Sequence, residues 1–111
     1  MRQDIDLKNQ VKKILKIVEE LAPGRSVELR IPLYAAIQCV DGATHRRGTP
    51  PNVVEMSAQT LLELSKSPQN WNKLCSEGAI SASGTNSDLS ELFNNVSKLI
   101  LNFNEELSYG K

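Results

Sequence analysis

Ser26-Val27-Glu28-Leu29-Arg30-Ile31-Pro32 is the stretch on which the fold turns. Val27, Leu29 and Ile31 alternate with Glu28 and Arg30, the period-two pattern of a strand with one face on a core and the other in water. Pro32 cannot donate to a ladder, so the strand meets an edge, a bend or a bulge there. Tyr34 to Val40 follows as a second strand segment. Tyr34, Ala36 and Val40 lie on one face, Ala35, Ile37 and Cys39 on the other, and Gln38 is the one polar interruption. Two apolar faces predict a more central place in the sheet. Asp41-Gly42 signals a turn. Asn52 to Met56 is a short third strand centred on Val53 and Val54. Ala79 to Ser83 is a fourth, broken by Gly84.

Helical spacing surrounds these strands. Leu7, Val11, Ile14, Leu15, Val18 and Leu21 predict a helix over Ile5 to Leu21, with Asp4 or Asp6 as its N-cap and Pro23-Gly24 as its stop. Ser57 caps a helix carrying Leu61, Leu62 and Leu64. Ser67-Pro68 restarts one with Trp71, Leu74 and Cys75, which Gly78 closes. Asn86 or Ser87 caps the last helix, with Asp88 beside its positive end. Its stripe of Leu89, Leu92, Phe93, Val96, Leu99, Ile100, Phe103 and Leu107 is the strongest periodic signal in the chain. The order predicts an α+β fold: a small mixed or antiparallel sheet of about four strands with helices packed on one face.

The chain has 111 residues, a length that favours one domain, 1–111. Lys+Arg and Asp+Glu balance at 13 each, so no long-range field steers the protein onto nucleic acid or anionic lipid. The same neutrality leaves self-association open, as a homodimer or on a partner protein. At 5% the aromatic content is too low for a base-stacking platform. No signal-peptide core and no membrane-spanning run is found, so the expected location is cytoplasmic.

The chemistry-bearing residues are sparse. His45 is the single histidine, and neither Cys39 nor Cys75 stands at ligand spacing, so no metal site is expected. The cysteines read as reduced thiols. No nucleophile elbow, phosphate loop or dinucleotide fingerprint occurs. No catalytic residue and no cofactor is expected, and the chain does not read as an enzyme. The odd feature is Thr44-His45-Arg46-Arg47-Gly48-Thr49-Pro50-Pro51. His45, Arg46 and Arg47 are candidates for contact with an anion, since guanidinium suits carboxylate and phosphate. They are equally suited to pinning the loop through Asp41, Glu55 or Glu28. The stripe of the last helix has parallel readings: core, one half of a helix pair in a dimer, or the wall of an apolar pocket.

Three stretches carry a family likeness. They are Val27-Glu28-Leu29-Arg30-Ile31-Pro32, Ala36-Ile37-Gln38-Cys39-Val40-Asp41-Gly42, and above all His45-Arg46-Arg47-Gly48-Thr49-Pro50-Pro51-Asn52-Val53-Val54-Glu55. With the later run from Thr60 through Gly78-Ala79-Ile80-Ser81-Ala82-Ser83-Gly84 to Leu89, the chain resembles the actinobacterial sterol carrier family, bacterial orthologues of the sterol-carrier-protein domain. The resemblance implies a helix-covered sheet and a carrier of fatty acid, fatty acyl-coenzyme A or a sterol-like ligand. It implies an apolar pocket under the C-terminal helices, with Leu61, Leu64, Trp71, Leu74, Leu92, Phe93, Val96 and Ile100 as its candidates, and no catalytic residue. The alternative it implies is an accessory module for a partner enzyme such as a mycothiol-dependent isomerase-like protein, without a lipid tunnel. An empty apolar chamber of roughly 300 Å³ would forfeit about 7 kcal/mol. Such a chamber is therefore filled by ligand, opened to water or collapsed.

Overall fold

Val27, Leu29 and Ile31 are fully buried while Arg30 is exposed, so the alternation in the sequence is the alternation in space. A computed structural model describes residues 2–42 and 51–109, and the side chains of 5–42 and 51–101. In chain order the elements are α1 (Arg2–Leu21), β1 (Val27–Ile31), β2 (Ala35–Cys39), β3 (Asn52–Met56), α2 (Ala58–Lys66), a 3-10 turn (Pro68–Asn70), α3 (Trp71–Ser76), β4 (Ile80–Ser83) and α4 (Ser90–Tyr109). The sheet is mixed, in the order β2-β1-β3-β4. β1 pairs antiparallel with β2, Val27 opposite Cys39 and Ile31 opposite Ala35. It pairs parallel with β3, Val27 opposite Asn52, and β3 pairs antiparallel with β4, Met56 opposite Ile80.

The inner face of the sheet carries Val27, Leu29, Ile31, Cys39, Val54, Met56 and Ile80, and the helices close over it. From α1 come Val11, Ile14, Leu15 and Val18; from α2 to α4 come Leu61, Leu64, Trp71, Leu74, Phe93 and Val96. The outer face shows Arg30, Ala36, Glu55, Ser81 and Ser83 to solvent. This is the α+β arrangement read from the element order.

Polar groups hold the end of the sheet where β1 begins. Asn52 is buried, yet both ends of its amide are used: Nδ2 donates to the Ser26 carbonyl at 2.9 Å, and Oδ1 accepts from the Asn86 amide at 2.9 Å. Gly84 lies so close that a Cβ there would stand 2.1 Å from Asn52 Oδ1, and its φ is +106°. At the same end the Val40 amide donates to the Ala22 carbonyl at 2.7 Å, and the Val40 carbonyl accepts from the Ser26 amide at 3.0 Å. Thus α1 ends, and α4 begins, at the base of the sheet. The β1–β2 hairpin turns at the opposite end, the tip.

Four sequence expectations change. β2 is an edge strand, not a central one, because β3 takes the other flank of β1; its outward residues read as apolar only because they are small, and Ala36 is exposed. Tyr34 belongs to the hairpin turn rather than to the strand. Neither Asp4 nor Asp6 caps α1, since Arg2 and Gln3 are good helix formers and the helix already runs through them. α4 begins at Ser90, later than a cap at Asn86 or Ser87 would allow. Asn86 is bound to Asn52, Ser87 Oγ donates to the Gly84 carbonyl, and Asp88 Oδ1 accepts the Ser90 amide at 2.9 Å instead. The Ser57 cap stands as read, its Oγ accepting from the Thr60 amide at 3.1 Å.

Candidate functional site

The eight apolar candidates come from three helices and meet in one layer. Ser57 starts α2 at a phase that turns Leu61 and Leu64 into the core. Pro68 shapes the short 3-10 turn that delivers Trp71 and Leu74 into the same layer. On α4, Phe93 and Val96 are fully buried, and Leu92 and Ile100 pack against the cluster from its margin. α4 touches α1, α2 and the 3-10 turn, so it is the helix that closes the layer. The side chains of Phe103 and Leu107, further along the stripe, lie outside the described residues.

The two thiols favour their neutral forms. Burial, reinforced by the Glu19 charge, pushes the Cys39 thiol up to about 11. Burial, with Asp88 adding to it, also raises the Cys75 thiol. Both are free thiols, and a thiol held protonated is a poor nucleophile. Among the described residues no cluster of three or more His, Cys, Asp or Glu could hold a metal ion. His45, Arg46 and Arg47, the anion-contact candidates, lie outside the described residues. Of their proposed pinning partners, Glu28 is taken by Arg30, whose Nε sits 2.5 Å from Glu28 Oε1.

A second feature, at the tip of the sheet, escapes the sequence patterns. The Tyr34 amide donates to the Ile31 carbonyl at 3.0 Å, closing a turn with Pro32 and Leu33 in its middle. Leu33 has φ +75°, and its side chain is 102% exposed. Proline followed by a left-handed residue is the pattern of a type II turn, which ordinarily places glycine or asparagine where this chain has leucine. Leu33 lines an open hollow of about 410 Å³ together with Pro32, Tyr34, Ala36, Arg30 and Glu55. Pro32 was the available signal, but a leucine in place of the expected glycine hid the turn and let Tyr34 read as strand.

No helix among the described residues is long and apolar enough to cross a membrane. A comparison with curated proteins returns no match. A protein family described as the bacterial SCP ortholog, SCP standing for sterol carrier protein, matches residues 2–94, which span the sheet, the covering helices and the start of α4. The chain belongs to the bacterial sterol carrier protein ortholog family.

Proposed function

We propose that the chain is a non-catalytic lipid carrier that takes a fatty acid, a fatty acyl-coenzyme A or a sterol-like ligand between α4 and the layer of α2, the 3-10 turn and α3. Family membership supports lipid binding in general terms. The observation that carries the finer reading is the convergence of Leu61, Leu64, Trp71, Leu74, Phe93 and Val96 in one buried layer, with Leu92 and Ile100 at its margin. In the ligand-free protein these side chains belong to one buried cluster. A ligand enters by parting α4 from the layer, and burial of its apolar surface, at about 25 cal/mol per Å², offsets the contacts that are broken.

Trp71 is the single tryptophan and sits in this layer, so it reports on occupancy directly. Titration with palmitate, palmitoyl-coenzyme A and cholesterol is expected to change Trp71 emission for at least one ligand. The same ligand at about 100 times its Kd should stabilise the fold by about 2.7 kcal/mol. Unchanged emission and an unchanged melting temperature across all three would rule the reading out.

A further inference from the structure

Leu33 is in the wrong place for a residue that serves only the fold. The turn needs a left-handed residue, which glycine supplies without strain, and water around the tip favours a polar one. Leucine satisfies neither, so its presence points to a contact made outside the chain. The run Ile31-Pro32-Leu33-Tyr34-Ala35-Ala36-Ile37 carries no charge. The charged residues that line the hollow are of both signs: Arg30 on β1 and its register partner Glu55 on the adjacent β3. Arg30 binds Glu28 through Nε, which leaves its terminal nitrogens as donors among the described contacts.

Among the described residues Leu33 is the most exposed of the large apolar side chains, well ahead of Ile5, Leu101, Leu99 and Leu21.

We propose that the β1–β2 hairpin is a membrane-touching finger for zwitterionic lipid: Leu33 enters the acyl boundary while the hollow beside it receives a phosphocholine-type headgroup. Arg30 meets the phosphate, and Glu55 with the Tyr34 ring meets the quaternary ammonium. A hollow lined by one residue of each sign, Arg30 and Glu55, matches a headgroup that is itself neutral and two-signed, and an anionic surface offers Glu55 nothing. The inference rests on the carrier reading, because a lipid carrier has to load and unload at a bilayer. Single-residue insertion gives weak, reversible attachment, which suits a protein that must leave again.

The test is co-sedimentation with phosphatidylcholine vesicles, comparing the wild type with Leu33→Gly. Glycine relieves the positive φ, so the variant should melt at the same or a higher temperature. Its vesicle partition coefficient should fall about tenfold or more. Leu33→Asn, which also tolerates the left-handed region, repeats the comparison should glycine loosen the hairpin. Arg30→Gln and Glu55→Gln should each weaken binding several-fold, and 0.5 M salt should weaken wild-type binding by no more than those variants do, without abolishing it. Equal binding by wild type and Leu33→Gly overturns the proposal. So does binding confined to phosphatidylserine vesicles and abolished by salt, or a wild-type dimer in lipid-free buffer that Leu33→Gly dissolves. Palmitate titration of both proteins without vesicles keeps the readings apart. A wild type that takes palmitate but ignores vesicles sinks the finger alone, and Leu33-dependent vesicle binding without palmitate uptake sinks the carrier pocket alone.

Discussion

Asn52 shows how one residue fixes the geometry of an end of the sheet. Its amide is buried and fully engaged, bridging the start of β1 to the approach of α4. Asn52→Ala leaves a buried carbonyl at Ser26 and the Asn86 amide without partners, a loss of about 2–4 kcal/mol that chemical denaturation would read. Gly84→Ala attacks the same point from the other side, setting a Cβ against Asn52 Oδ1 in a backbone conformation that alanine resists. It should destabilise by a similar amount. The double variant should lose clearly less than the sum, because both act on one contact. Asn52 lies within the string that carries the family likeness, so part of that string is explained by architecture.

Cys39 makes a separate residue-scale prediction. Its thiol is held protonated in the fold up to about pH 11, whereas an unfolded thiol ionises near pH 9. Below pH 9 both states carry the proton and stability is unaffected. As pH climbs from 9 towards 11 only the unfolded state releases it, so stability falls, by roughly 2–3 kcal/mol over that window. Denaturation curves should show this slope in the wild type and a flatter one in Cys39→Ala. An unchanged slope in the variant would assign the alkaline loss to other groups.

At the scale of elements, α4 separates burial from periodicity. Phe93 and Leu99 lie on one apolar stripe, yet Phe93 is fully buried and Leu99 is 43% exposed. Phe93→Ala should cost about 3–5 kcal/mol. Leu99→Ala should stay well under 1 kcal/mol in stability. The helices were legible because each repeats its signal over several turns, and β1 because Glu28 and Arg30 mark its wet face. β2 misled because alanine has too little side chain to reveal which face is covered. The start of α4 misled because the Asn86 backbone N–H and the Ser87 hydroxyl are held at the end of the sheet instead. Of the tip only the interruption at Pro32 was legible. Its signature is a backbone angle and an exposure at Leu33, and neither leaves a pattern in the order of residues.

For the molecule as a whole, the layer that gives stability and the layer proposed to receive ligand are the same. Native proteins hold only about 5–15 kcal/mol in reserve, so a domain that parts α4 to admit an acyl chain draws on the same contacts that keep it folded. Ligand-induced stabilisation is therefore the natural whole-molecule signature of the carrier reading, and Trp71 emission is its local counterpart. The resemblance implied the eight as pocket candidates; that they sit on apolar helix faces was legible through helical periodicity. Whether they line a chamber or simply fill a core was not, because the same spacing serves both.

The register also bears on chain length. β2 ends and β3 begins on either side of the start of β1, with Cys39 and Asn52 both opposite Val27. Two interstrand spacings separate them, about 10 Å. Roughly three extended residues would bridge that gap. The chain uses the 12 residues 40–51. By loop-closure entropy the fourfold excess opposes folding by about 1 kcal/mol. Connectivity accounts for a quarter of this segment, and the basic sequence His45-Arg46-Arg47 stands in the part that the topology of the sheet does not require.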